Sequence, residues 1–389
     1  MSLLRDFSVS AVVAGFVTVL VGFTSSAVIV FQAANAVGAG PAEIASWMWA
    51  LGLGMGITCI ALSLRYRMPV VTAWSTPGAA MLISGAAGVS LAEATGAFLI
   101  SALMITVAGF SGWFERAINR IPVSIASGML AGVLLRFGLE VFVVMKAQFL
   151  MAFAMFAVYL VMRRLVPRYA VICAFALGIV IAAAQGMLHL KAVHLELARP
   201  VWVTPSLSVS ALIGVALPLF VVTMASQNVP GVAVIRASGY AVPISPVIGW
   251  TGVTNLILAP FGAFAINLAA ITAAICMGRE AHEDTKRRYM ASVSAGVFYI
   301  LIGLFGATVG ALFAAFPREL VAAIAGLALI GTIGNGLAAA LSNERDREPA
   351  LVTFLVTASG VTLLGIGSAF WGLIAGTLAL LILHPRAKS

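Results

Sequence analysis

Apolar residues dominate this chain from Ser8 to Leu383, and short clusters of Gly, Pro and charge divide them at near-regular intervals. A helix needs roughly 20 apolar residues to cross a hydrocarbon core. The breaks predict spans at 9–34, 42–64, 69–88, 92–112, 122–138, 141–162 and 170–188, then at 208–232, 242–256, 260–277, 290–315, 318–341, 349–363 and 366–383. The first run follows Arg5 and Asp6 and continues to Ala34, too long for a signal-peptide core, so it is taken as a span.

Composition supports this partition. Of 389 residues, 62% are hydrophobic and 9% charged, against roughly a quarter charged in soluble domains. The net charge of +9 does not indicate a nucleic-acid surface, because Lys and Arg are scattered between apolar runs. They segregate instead. Arg5, Arg65, Arg67, Arg116, Arg163, Arg164, Arg279, Lys286, Arg287 and Arg345 fall on one side of the predicted topology, and Lys146, Lys191, Arg199 and Arg318 on the other. The positive-inside rule then makes both termini cytoplasmic. Cys59, Cys173 and Cys276 lie inside apolar segments and imply neither disulfides nor a metal site, and no cofactor is expected.

Seven spans per half would turn the second half upside down relative to the first, as in inverted-repeat transporters. One register places Gly15 on Gly214 and Thr24 on Thr223, and others place Pro122 on Pro317 and Thr76-Pro77 near Ala259-Pro260. In Ala/Gly/Val-rich sequence such matches also arise by chance. The expected architecture is an all-α membrane protein of about fourteen helices, with residues 1–195 and 205–389 as the two repeats.

Two spans look interrupted. In the third, the strand-like Val70–Trp74 precedes Ser75-Thr76-Pro77-Gly78, a cap residue followed by proline at a helix start. In the tenth, Thr254–Ala259 is predicted extended, with a helix beginning at Pro260 and running through Gly262, Phe264 and Asn267. Two short β-strands would then pair at membrane depth, where non-helical backbone is tolerated only inside protein or beside a cavity. The half-helix amino ends would offer free N–H groups to a small anion. Simple proline kinks are the alternative. Trp74 and Phe264 could wall an aromatic guest or serve packing alone.

The eighth span carries Ser226-Gln227-Asn228-Val-Pro-Gly231, whose amides need hydrogen-bond partners in a membrane. Interhelical bonding would also account for them. Together with Phe23-Thr-Ser-Ser-Ala-Val-Ile-Val-Phe-Gln32 and Trp74-Ser-Thr-Pro-Gly78, this stretch resembles the bacterial benzoate/proton symporter family of the BenE type. That family is related to the nucleobase–ascorbate and sulfate-type transporters.

The resemblance covers essentially the whole chain. It implies a seven-plus-seven fold with a core domain from spans one to four and eight to eleven, and a gate domain from five to seven and twelve to fourteen. It also implies a small aromatic carboxylate and a proton as cargo, a site between spans three and ten against span eight, an inner-membrane location and a possible homodimer. Uracil-type relatives carry acids on spans eight and ten, where this chain offers Gln227 or Asn228 and Asn267. A neutral amide suits an anionic substrate but leaves the proton without an obvious carrier. Glu93 and Glu140 are weak candidates, solvent exposure being the simpler account of both, with Arg136 a helical partner for Glu140. A nucleobase or inorganic-anion transporter and an anion channel are the rivals. An enzyme is not expected, because no catalytic motif falls inside the spans.

Overall fold

The computed structural model describes residues 6–86, 88–118, 121–188, 197–305, 316–361, 363 and 368–383. His189, His194, His384, the Gly306–Gly310 run and the end of the predicted 290–315 span lie outside them. The chain is a mostly helical membrane protein. Among the described residues six helices are long and apolar enough to cross a bilayer, Pro41–Tyr66, Leu91–Phe110 and Arg318–Leu341 being three of them.

The first half contains α1 (Val9–Ala36), α2 (Pro41–Tyr66), β1 (Thr72–Ala73), α3 (Thr76–Gly85), α4 (Leu91–Phe110), α5 (Trp113–Ile118), α6 (Val123–Val143), α7 (Phe149–Leu165) and α8 (Ala170–Ala184). The second contains α9 (Val209–Ala237), α10 (Ile244–Leu258), β2 (Asn267–Leu268), α11 (Ile271–Met277), α12 (Tyr289–Leu304), α13 (Arg318–Leu341), α14 (Arg347–Ala358) and α15 (Ser368–Leu383). Large side chains such as Val107, Phe149, Leu150 and Ile257 face outward, where lipid tails would meet them.

Packing sorts the helices into two bundles. In one, α12 lies between α1 and α2, α4 pairs with α10, and α3, α9 and α11 fill the space between. In the other, α6 packs on α13 and α14, α14 on α15, and α7 on α8, and the two bundles meet where α6 packs on the carboxyl-terminal part of α9 and α13 on α1. The α2–α12 seam is a backbone contact: a Cβ on Gly52 would stand 2.6 Å from Gly303 Cα, and one on Gly56 would stand 2.6 Å from the Gly296 carbonyl. Lipid supplies no hydrophobic drive between helices, so such close approach of small residues is what holds them. The Gly52-x-Gly54-x-Gly56 run is therefore a packing motif.

Three elements differ from the sequence expectation. Helix α6 runs on to Val143, beyond the predicted end at 138, and α7 begins at Phe149 rather than 141: Gly138 does not end the helix but lies inside it, against Ile333 of α13, and the chain turns only at Lys146–Gln148. Helix α9 continues to Ala237 and contains two π-helical turns, Leu212–Ala216 and Met224–Asn228.

The third difference concerns the tenth span. Residues 254–258 are helical, and Pro260 sits in a 3-10 turn, Ala259–Phe261. Gly262 ends that turn at φ +100°, and the chain is extended only after it, with β2 at Asn267–Leu268. The half-helix therefore starts at Ile271, and Ala270-Ile271-Thr272, not Ala259-Pro260, is the counterpart of Ser75-Thr76-Pro77. A proline is tolerated in the first turn of a short helix, so Pro260 could not by itself mark the break. The non-helical Phe264–Ala270, in which Ala265 takes φ +46°, has the same apolar composition as a helix.

The short amphipathic α5 was not expected. Phe114 is buried, and the Glu115 carboxylate accepts hydrogen bonds from Ile244 N (3.3 Å) and Ser245 N (2.8 Å). It caps α10, whose own N-cap, Pro243, supplies no side-chain acceptor. Burial works against ionisation of Glu115, but the bonds from Ser245 and Ile244 and the nearby Arg236 outweigh it and hold the carboxyl below its usual range. A depressed carboxyl pKa adds stability that is complete above the unfolded value and is lost as pH falls through the folded one. Thermal stability in detergent should therefore fall as pH drops from about 5 to 3, and Glu115→Gln should flatten that slope. Equal slopes in the two proteins would contradict the cap.

Candidate functional site

The two interruptions meet. Strand β1 pairs antiparallel with β2, Thr72 opposite Leu268 and Ala73 opposite Asn267, and Ala269 N donates to Val71 O at 2.9 Å. Two residues per strand cannot satisfy all the exposed backbone, and neighbouring helices supply the rest. Ser63 Oγ bonds both Val70 O (3.0 Å) and Val70 N (3.1 Å), and Thr72 N donates to Cys59 Sγ. On the other strand, Asn255 brackets Ile266 through N and O at 2.9 and 3.0 Å, and Asn228 Oδ1 accepts from Leu268 N at 3.0 Å.

Beside this ribbon lies a cavity of about 360 Å³, within the usual range for small-molecule sites. Trp74, Thr76 and Pro77 form one wall, Ala269 to Thr272 the opposite wall and Gln227 a third. Ser26 of α1, Met55 of α2, Phe137 of α6 and Tyr299 of α12 also border it, and among the described residues no charged side chain lines it.

Each expected site residue has a definite place. Trp74 is buried and donates Nε1–H to Ser26 Oγ at 2.9 Å, while Ser26 donates to Gly22 O. That chain uses up the indole donor, and an edge-on contact with Phe23 fixes the ring, which turns an apolar surface to the cavity. Ser75 caps α3 by accepting from Gly78 N at 3.0 Å. With Ala79 N bonded to Ser75 O and Pro77 lacking an N–H, Thr76 is left with the free amide of that first turn. Helix α11 has no side-chain cap at all.

Gln227 lines the cavity from within a π-helical turn, a local widening frequent at functional sites. Ser226 and Asn228 flank it, both buried, and Asn228 is occupied with β2. Gly262, Phe264 and Asn267 do not line the cavity. At Gly262 a Cβ would stand 1.8 Å from the Trp47 ring, and Phe264 packs between Trp47 and Phe98. Asn267 donates to Ala265 O at 2.7 Å. Gly78 is likewise outside the lining, with Leu219 and Ser75 crowding its open side.

The two weak acidic candidates are elsewhere. Glu93 forms a capping box with Ser90 at the start of α4, and Glu140 lies half-buried on α6, not paired with Arg136. Sequence reasoning missed Ser26, Phe137, Thr272 and Tyr299. A tyrosine hydroxyl inside an otherwise apolar span was the available signal for Tyr299. Ser26 lay within a stretch quoted only for its resemblance.

Comparison with known proteins decides what surrounds this cavity. The benzoate membrane transport protein profile matches residues 5–382. This chain belongs to the benzoate membrane transport family. It is 49% identical over 383 residues to the inner membrane protein YdcO of Escherichia coli, covering 98% of each chain. It is 40% identical over 388 residues to the benzoate membrane transport protein of Acinetobacter baylyi, covering 100% of this chain and 98% of that one. Members are transport proteins, not enzymes. Among solved structures, SLC26A9 aligns at 14% identity and TM-score 0.49, covering 98% of this chain and 67% of that one. The transmembrane domain of the cyanobacterial bicarbonate transporter BicA aligns at 13% identity and TM-score 0.47, covering 96% of each.

Asn228→Ala should leave the Leu268 N–H buried without an acceptor, at a cost of about 1–3 kcal/mol. Thermal denaturation in detergent should show this loss, and Asn228→Asp, which keeps an acceptor, should lose less. An unchanged midpoint for Asn228→Ala would show that the bond does not hold β2.

Proposed function

We propose that this protein imports benzoate or a similar aromatic carboxylate together with a proton. The observation that carries the reading is the uncharged cavity beside the β1–β2 ribbon, in a chain of the benzoate membrane transport family. Its walls match the two parts of such a substrate. Trp74, Phe137, Met55 and Ile271 offer apolar surface to a ring, and Thr76, Gln227, Thr272 and Tyr299 offer donors to a carboxylate.

A fixed acid in that lining would repel an anion, and a fixed cation would hold it too tightly to release. Neutral dipoles avoid both. The amides of Thr76 and of the uncapped Ile271 turn add partial positive charge at the same place.

In this reading α1–α4 and α9–α12 form the core that carries cargo, and α6–α8 and α13–α15 form the gate. The halves 1–195 and 205–389 are inverted repeats, with both termini cytoplasmic in the inner membrane. Alternating access is then movement of the core against the gate, and Phe137 is the cavity residue that the gate contributes.

Purified protein in vesicles with an acidic exterior should accumulate labelled benzoate. Unlabelled benzoate should compete, while uracil and sulfate should not. Gln227→Ala should lower uptake at least about tenfold, the equivalent of about 1.4 kcal/mol of cargo binding. Competition by uracil or sulfate in place of benzoate would overturn the substrate. Large unitary currents indifferent to the pH gradient would overturn carrier transport.

A further inference from the structure

Among the described residues Glu280 is the only carboxylate in the buried class, and nothing above uses it. It stands just past the carboxyl end of α11, the short helix whose amino end, Ile271 and Thr272, lines the cargo cavity. Its Oε1 accepts a hydrogen bond from Arg163 Nη1 of α7. Helix α11 packs in the bundle of α1 and α9, and α7 packs in the bundle of α8 and α13, so this pair joins the two bundles.

The surroundings are built around the pair. Arg163 lies over the Tyr159 ring at 5.8 Å, and the Tyr159 hydroxyl is buried without a hydrogen-bond partner. On α13, Gly331 leaves the necessary room: a Cβ there would stand 3.1 Å from both Glu280 Oε1 and Arg163 Nη2. The charged or titratable groups facing Glu280 are Tyr159 and Arg163 from α7, and Arg279, Glu283 and Arg288 from its own loop. Helix α13 adds only Gly331, Asn335 and Gly336. Arg288 is committed to the carbonyls of Met277 and His282, both at 2.7 Å, so Arg163 is the countercharge.

We propose that Glu280 is the proton-coupling residue of transport, and that its ion pair with Arg163 latches the two bundles together at the Lys/Arg-rich end. This rests on the symport reading above. Parting the bundles separates the pair, and a buried carboxylate stripped of its partner is strongly unfavourable. Taking up one proton removes that charge. Glu280 takes up the proton that enters with the cargo while the cavity is open to the opposite face; Arg163 is then released and the bundles part at the Lys/Arg-rich end. The proton then leaves to solvent as the carboxylate ionises and pairs again. Helix α11, about 10 Å long at 1.5 Å per residue, links the cargo wall to the latch as one rigid piece.

The test uses the full-length protein in vesicles, with two assays. One is benzoate accumulation driven by a pH gradient; the other is exchange of labelled for unlabelled benzoate without a gradient. Glu280→Gln should keep exchange within about twofold while accumulation falls at least tenfold. Arg163→Gln, which leaves the carboxylate unpaired, should move the pH profile of accumulation upward. This second variant decides the matter if Glu280→Gln is not recovered folded. Accumulation by Glu280→Gln within twofold of the unaltered protein, or an unmoved profile in Arg163→Gln, overturns the assignment. Absence of gradient-driven accumulation by the unaltered protein counts instead against the function proposed above.

Discussion

The structure depends on one constraint: a peptide group that leaves a helix inside hydrocarbon must find its hydrogen-bond partner within the protein. Two segments of this chain leave helical geometry in the buried interior, and each is the other's first partner through the β1–β2 pairing. The pairing is too short to suffice alone. Ser63, Cys59, Asn228 and Asn255 complete it from the flanking helices. The polar residues in these spans are thus explained first as backbone partners, and the cavity is what remains beside the ribbon once those partners are in place.

Gln227 illustrates the division of labour. It lies between Ser226 and Asn228 in one π-helical turn, and Asn228 is spent on Leu268 while Gln227 borders the cavity. A regular α-helix turns adjacent residues about 100° apart, so one neighbour can brace the ribbon while the next faces the cargo. Trp74 shows the same economy, because Ser26 occupies its only donor and the ring is left as a wall.

Much of this was legible in the sequence. Ser75-Thr76-Pro77 announced the α3 start through cap chemistry, and the structure begins the helix at Thr76. The second break was misplaced because Ala259-Pro260 looked like its counterpart, whereas the actual start at Ile271 has neither a capping side chain nor a proline. Phe264–Ala270 leaves helical geometry because β1 and Asn255 claim its backbone, which is a tertiary fact with no local signature. For the same reason Gly262 and Phe264 were drawn into the candidate site, although they secure a turn and pack on Trp47. Tyr299 and Phe137 reach the cavity from helices remote in sequence, where only packing brings them together.

The ribbon joins strands that are separated by about half the chain, and this sets an order of assembly. At the ribosome's pace of roughly 5–20 residues per second, about 10 to 40 s pass between synthesis of Thr72 and of its partner Leu268. Through that interval the nascent first half holds an incomplete strand edge, with only Ser63 and Cys59 to occupy it. Neither strand can complete its backbone hydrogen bonds until the other is in place.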